Sequence, residues 1–303
     1  MSTYQNVALL GKGFLGSAIL TELVNAGLIV TVLGRSESAK QGLPSGVKFV
    51  TVDYSSADDL TAALRGQDAV VSTVSKGGLL TQNTVIDASI KAGVKRYYIP
   101  SDWGTFTTDP KAQRELVPVL GPMLDVQRYL AEKARTGEIE HTIFSVGAFL
   151  DLLTTVPIAF NYANKTVELW DGGRHRLSTT SVSSIGKAVA GALKNPAATK
   201  NRNVKVHELV VTQRQLYELA KKYSPPGTEW KESELEGEAA FAVALKAVKE
   251  DPYNEGKIMG AIKAGVMSGR YEAAYGQVDN ELVGVPFLTE ADLDARFAAV
   301  YKS

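Results

Sequence analysis

Strand-like and helix-like segments alternate through the first half of the chain, and that alternation constrains the fold more than any other feature. Apolar runs rich in β-branched residues stand at Val7–Leu10, Ile29–Leu33, Val47–Val52, Ala69–Val74, Tyr97–Ile99 and His141–Val146. Helical periodicity fills the intervals, at Leu15–Ala26, Ala57–Leu64, Thr81–Ala92 and Leu124–Arg135. Asp58 and Asp59 open one helix, and Gly27, Gly66 and Gly93 follow helix ends as C-cap glycines do. Repeats of this kind wind right-handed into a parallel sheet covered on both faces. The expected fold class is α/β, a doubly wound parallel sheet over residues 1–150 with a second, smaller α+β lobe over 151–303.

The rhythm changes after Phe149. Val167–Trp170 and Arg176–Thr180 read as short strands, Ser184–Lys194 as a helix, and Val204–Val211 as a strand. Segments near 178–212 are expected to return to the first domain, so the two lobes interleave. Residues 213–275 read as mostly helical, interrupted at Pro225-Pro226-Gly227, and Thr289-Glu290-Ala291-Asp292 reads as the capped start of a last helix.

Composition narrows the function classes. Lys plus Arg and Asp plus Glu are 33 each, so the formal net charge is zero. A neutral chain with no basic tract gives no electrostatic case for nucleic acid or an anionic membrane. The 303 residues hold no cysteine, which removes disulfides, thiolate nucleophiles and zinc–sulfur sites. His141, His175 and His207 are scattered without ligand spacing, so no metal is expected. There is no GxSxG elbow for a hydrolase triad. No stretch approaches the roughly 18 apolar residues of a membrane span, and no charged segment precedes an apolar run of signal length. A cytoplasmic location is the expectation.

Gly11-Lys12-Gly13-Phe14-Leu15-Gly16 is a GxGxxG that follows the first strand and opens the first helix. In that context it is the Rossmann phosphate turn: one glycine for the tight bend, one for close approach to a pyrophosphate, one for helix–strand packing. The positive end of the helix then attracts the phosphates. The second strand ends in Leu33-Gly34-Arg35-Ser36. A carboxylate there would take the ribose hydroxyls of NAD and repel an added phosphate. Arg35 offers instead a fork of donors matched to the 2′-phosphate of NADP, with Ser36 and Lys40 within reach. NADP(H) is the expected cofactor.

One longer stretch is more specific. Gln82-Asn83-Thr84-Val85-Ile86-Asp87-Ala88-Ser89-Ile90-Lys91-Ala92-Gly93-Val94-Lys95-Arg96, followed by Ile99-Pro100-Ser101-Asp102-Trp103-Gly104, resembles the isoflavone-reductase-like and NmrA-like branch of the atypical short-chain dehydrogenases. Ser145–Phe149, Ser178–Lys187 and Asp279-Asn280-Glu281-Leu282 extend the resemblance over nearly the whole chain, the last towards fungal-type members. It implies an NADP-binding sheet domain and a smaller lobe with the substrate cleft between them. Carried over by position, Gly11, Gly13, Phe14, Leu15 and Gly16 line the pyrophosphate and Arg35 the 2′-phosphate. Ser72, Thr73 and Val74 lie along the cofactor, and Phe149 near the nicotinamide.

Three departures from the family pattern matter. The glycine turn is one residue shorter than the usual GxxGxxG. Arg96-Tyr97-Tyr98-Ile99 is one residue longer than usual. The reductases' catalytic lysine has no counterpart, because one register puts Gln127 at its position and another puts Met123. Gln127 can donate a neutral hydrogen bond but no proton; Met123 can do neither.

The candidate catalytic residues are therefore Gln127, Tyr129 and Asp102, with Trp103 and Met123 bordering the substrate. Tyr129-Leu130-Ala131-Glu132-Lys133 matches the YxxxK of ordinary short-chain dehydrogenases, yet Lys133 falls close before the sixth strand, low on its helix. Asp102 reads equally as a cleft residue or as the cap of a local turn. His175, in Arg174-His175-Arg176, reads as part of a solvated hairpin. The apolar stripe Phe241, Leu245 and Val248 reads as core or as the wall of a substrate pocket.

The expected function is an NADPH-dependent reductase of a small aromatic or conjugated metabolite, with an enone, quinone-methide or imine type acceptor. Two alternatives stand beside it: a non-catalytic NADP-sensing regulator that binds a protein partner, and an NADP-containing enzyme of non-reductive rearrangement or cyclisation. The expected partners are a small-molecule substrate and, beside it, a second copy of the chain or another protein.

Overall fold

A computed structural model describes residues 4–74, 76–98 and 107–301. Seven strands form the main sheet: β1 (Asn6–Leu10), β2 (Ile29–Gly34), β3 (Lys48–Thr51), β4 (Ala69–Ser72), β5 (Arg96–Tyr98), β6 (Glu140–Ser145) and, far along the chain, β10 (Arg202–Lys205). Their order is β10-β6-β5-β4-β1-β2-β3, and every neighbouring pair runs parallel. The order reverses direction between β1 and β4, the point at which an open α/β sheet leaves a crevice outside its carboxyl ends.

Side-chain alternation along the strands builds two cores. Val7 and Leu9 of β1, with Val30 and Val32 of β2, face α1 (Phe14–Asn25) and α7 (Val182–Lys194) through Ile19, Leu23, Ile185 and Val189. Ala8 and Leu10 face the opposite way, towards α2 (Ala57–Leu64), α3 (Gln82–Ala92) and the second half of α5 (Val117–Arg135), through Leu60, Val85, Ile86, Val126 and Leu130. Burial on both faces explains why these strands read as continuous apolar runs.

Most of the remaining elements gather around a third core: α4 (Pro110–Glu115), β7 (Ala148–Phe149), α6 (Leu150–Thr155), β8 (Thr166–Trp170), β9 (Arg176–Thr180), β11 (Leu209–Thr212), α9 (Gln213–Lys222), β12 (Lys231–Leu235), α10 (Gly237–Glu250), α11 (Glu255–Met267) and α13 (Glu290–Tyr301). The short helices α8 (Pro196–Thr199) and α12 (Asn280–Val283) pack instead on the main-sheet domain, through Thr199 and Val283. Leu153, Leu169, Leu216, Phe241, Ala264 and Phe297 meet there, together with Val119 and Leu120 from the first half of α5. One helix thus belongs to two cores. Among the described residues no helix is long and apolar enough to cross a membrane.

Several sequence expectations shift. Val204–Val211 is two strands: β10 joins the main sheet, while β11 pairs antiparallel with β9 in a three-stranded sheet β11-β9-β7. The strand β12 was not anticipated; its Lys-Glu-Ser-Glu-Leu sequence is polar because it lies largely exposed, parallel to β8. Helix α5 begins at Val117 and not at Leu124, carrying Pro122 inside it. Arg174-His175-Arg176 is no hairpin, because β8 and β9 belong to different sheets. His175 is instead bonded to Asp171 at 2.7 Å, and Asp171 also accepts the Gly237 amide of α10 at 2.8 Å.

At the amino-terminal edge of the sheet Arg96, 1% exposed, is held by Glu140, by the Pro196 carbonyl at 2.5 Å and by the Thr199 hydroxyl at 3.3 Å. Its guanidinium carbon stands 5.6 Å from the centre of the Tyr4 ring. Replacing Arg96 by Met removes the donor set from a buried site but leaves Glu140 its 2.5 Å contact with Lys200. Arg96→Met is expected to lower the unfolding free energy by about 2–4 kcal/mol, below the full cost of stripping a buried ion pair, as read from the urea midpoint.

Candidate functional site

The turn between β1 and α1 is built by close backbone approach. Gly11 has φ +88°, in the left-handed region, and its amide donates to the Leu33 carbonyl of β2 at 3.3 Å. A Cβ on Gly16 would overlap the Gly11 carbonyl oxygen and stand 2.6 Å from Thr73 Oγ1. Gly13 differs: it is the N-cap of α1, has no side chain to cap the helix, and a Cβ there would meet nothing within 4 Å. The amino end of α1 therefore keeps its positive partial charge facing open space, the arrangement that receives a phosphate. Phe14 is 55% exposed beside it, while Leu15 is half-buried against the α1-side core.

The residues after β4 brace this turn. Thr73 donates its amide to the Leu10 carbonyl at 2.8 Å, and its hydroxyl lies 3.0 Å from the Leu10 and 3.1 Å from the Gly11 carbonyl oxygens. Ser72 is fully buried and shares the face of Val70, which looks towards α3. Val74 packs into that same core, with Gly78 so near that a Cβ there would stand 3.0 Å from Val74 Cβ.

At the end of β2, Arg35 is exposed, its guanidinium carbon 6.0 Å from the centre of the Tyr54 ring. Burial pushes the Tyr54 hydroxyl up to about 12, against the pull of the Arg35 cation, so it stays protonated and donates to the Leu33 carbonyl at 2.7 Å. Ser36 spends its hydroxyl locally: it accepts the Ser38 amide at 3.2 Å and caps the short 3-10 turn Glu37–Lys40, leaving Lys40 exposed. Glu37, two residues after Arg35, is held by the Thr51 hydroxyl of β3. Lys12 crosses from the glycine turn to donate to the Gln41 carbonyl. Neither Tyr54 nor Lys12 was marked by sequence reasoning. Lys12 was readable only as the variable position of the motif, and nothing local singles out Tyr54.

The chain leaves the sheet for the second lobe at Gly147, φ +67°, where a Cβ would overlap the Ser178 carbonyl. The Gly147 amide donates to the Tyr275 hydroxyl at 3.1 Å. Phe149 follows in β7, half-buried and paired in register with Thr180.

Helix α5 distributes its candidates differently. Met123 packs on the third core and Gln127, one turn further along the helix, is half-buried. The Tyr129 hydroxyl donates to Asp87 of α3 at 2.5 Å, and Lys133 stands 5.4 Å from the Tyr129 ring centre while pairing with Glu138 at 3.1 Å. Burial first, then Asp87, raises the Tyr129 pKa. The YxxxK match is thus a contact between helices. Asp102 and Trp103 lie outside the described residues. Among the described residues no cluster of His, Asp and Glu fits a metal ion.

The family described as NAD(P)H-binding matches residues 11–196, more than half of the 303-residue chain, starting at the first glycine of the turn. An Aspergillus flavus oxidoreductase, AprR, is 33% identical over 218 residues, 72% of each chain. An NmrA-like family domain-containing oxidoreductase of Gibberella moniliformis is 25% identical over 248 residues, 74% of this chain and 78% of that one.

The chain belongs to the NmrA-like, isoflavone-reductase-like family of NAD(P)H-binding oxidoreductases.

A crystal structure of isoflavone reductase superposes with a TM-score of 0.75 over 97% of this chain and all of that one, at 20% identity, which shows the shared fold. The open amino end of α1, the glycine-only contact at Gly16 and the cation at the end of β2 fit the phosphates of a nicotinamide dinucleotide, the cofactor of this family. Because Gly16 sits against backbone and Gly13 against open space, the two glycines should respond differently to alanine. Gly16→Ala is expected to cost about 2–4 kcal/mol, since backbone must move, and Gly13→Ala less than about 1 kcal/mol, both measured by thermal or urea unfolding.

Proposed function

We propose that this family member is an NADPH-dependent reductase that delivers hydride to a small aromatic or conjugated acceptor of enone, quinone-methide or imine type. The observation that carries the preference for the 2′-phosphorylated cofactor is the exposed Arg35 guanidinium at the end of β2, with Glu37 tied to Thr51. A guanidinium is matched to phosphate by its planar fork of donors.

In this reading Gly11, Gly13, Phe14, Leu15 and Gly16 carry the pyrophosphate, and Arg35 with Lys40 meets the 2′-phosphate. Ser36 shapes the loop that presents them. Thr73 holds the turn in register, Ser72 and Val74 form the buried wall behind it, and Phe149 borders the nicotinamide. The bound nicotinamide supplies the hydride. Substrate enters between the sheet's carboxyl edge and the second lobe, where Met123 and Trp103 border it and Asp102 is a candidate to orient or protonate it.

Hydride addition to a neutral enone or quinone methide leaves negative charge on an oxygen, and addition to an imine leaves it on nitrogen; a positioned acid typically contributes about 10²–10⁴-fold in rate. Gln127 can steady that oxygen with a neutral hydrogen bond only. The same observation favours a second reading, an NADP-sensing regulator that engages a protein partner.

Turnover separates the two. Consumption of NADPH with a panel of enones, quinone methides and imines is the expected result. Unequal binding of NADP⁺ and NADPH with no turnover of any acceptor would give the sensor reading instead. For the cofactor, Arg35→Asp is expected to raise the NADPH dissociation constant by about 100-fold or more and that of NADH by less than about threefold, since a charge-assisted pair becomes a repulsive one. Equal effects on both would remove Arg35 from the 2′-phosphate.

A further inference from the structure

The glycine turn carries a cation that the motif does not require. Lys12 stands between Gly11 and Gly13, half-buried, and its ammonium donates to the carbonyl of Gln41, the residue that closes the 3-10 turn Glu37–Lys40. A Cβ built on Gly42 would stand 4.0 Å from Lys12 Nζ, so the ammonium lies directly against the Gln41-Gly42 backbone. The side chain therefore spans the gap between two carboxyl-edge loops, the one after β1 and the one after β2. Arg35, Ser36 and Lys40 are all on the second loop.

A carbonyl is a weak partner for an ammonium. It is neutral, and this contact lies at an exposed edge. A phosphate dianion offers Coulomb attraction and stronger hydrogen bonds, and charge-assisted bonds are roughly twice as strong as neutral ones. Lys12 has a flexible four-carbon stem with a point charge at its tip, which suits a residue that changes partner. Arg35, by contrast, lies near the Tyr54 ring, and the Tyr54 hydroxyl is fastened to β2.

We propose that Lys12 is a further, mobile cation of the cofactor site, beside Arg35 and Lys40: it rests on the Gln41 carbonyl in the free protein and transfers to the 2′-phosphate when the phosphorylated dinucleotide binds. The transfer draws the loop 37–42 and the glycine turn onto the adenosine half together. Selectivity for the phosphorylated cofactor then comes from two loops at once. This inference rests on the NADPH reading above.

The test is calorimetric titration of the full chain, as wild type, Lys12→Met and Lys12→Arg, with NADPH, NADH and adenosine 2′,5′-bisphosphate. Lys12→Met is expected to weaken NADPH and the bisphosphate about tenfold, the worth of one bond to a charged group, while NADH changes less than about twofold. Lys12→Arg should restore most of the loss, and all three proteins should melt within a few degrees of one another. If Lys12→Met weakens NADPH and NADH alike, Lys12 is only a strap between loops and the proposal falls. It falls equally if neither ligand responds. Wild-type protein that binds none of the three ligands would overturn the cofactor reading itself, a result distinguishable from the first two.

Discussion

The contact on which the rest depends is the one between Gly16, the Gly11 carbonyl and the Thr73 hydroxyl. It brings the first turn of α1 so close to β1 that no side chain fits between them. Because Thr73 follows β4 and Gly11 follows β1, the contact also locks the two strands that flank the reversal in strand order. The parallel sheet makes the crevice, but this backbone packing aims the helix axis into it. Leu33 adds the third side: its carbonyl receives both the Gly11 amide and the Tyr54 hydroxyl, so β2 and its terminal Arg35 are referenced to the same turn.

Much of this was legible in the sequence because the physics is local or strongly periodic there. β1, β2 and β4 are buried on both faces and announce themselves as apolar runs rich in β-branched residues; the glycine turn is a short-range constraint with few solutions. What escaped reading was decided by tertiary partners. Val204–Val211 is apolar throughout, and nothing local says that the chain changes sheets near His207, whose ring instead settles at 2.8 Å from the Ser178 hydroxyl. β12 has the composition of a solvated loop and is a strand because β8 offers it a free edge. Helix α5 runs back past Leu124 and through Pro122 to Val117, because Val119 and Leu120 find partners in the core of the second lobe that offset the amide Pro122 lacks.

The site divides in the same way. Gly11, Gly13 and Gly16 could be assigned tasks from spacing alone, and the fold gives each a distinct surrounding. Ser72 and Thr73 are neighbours in sequence but part company in space, since strand alternation buries one and leaves the other to hold the turn. Tyr129 reads as a candidate acid in the sequence, and the fold engages its hydroxyl with Asp87 of α3. Pair motifs on helices are vulnerable to this: the helix fixes their spacing, but only the neighbouring layer decides what they face.

Helix α5 contributes Val119 and Leu120 to the core of the second lobe and Val126 and Leu130 to the core beneath the sheet. A rod anchored at both ends in separate oily interiors resists bending in its middle, where Met123 and Gln127 stand. Swinging the lobe as a unit would drag apolar surface into water at one end or the other. The helix therefore ties the sheet domain and the second lobe into one mechanical unit.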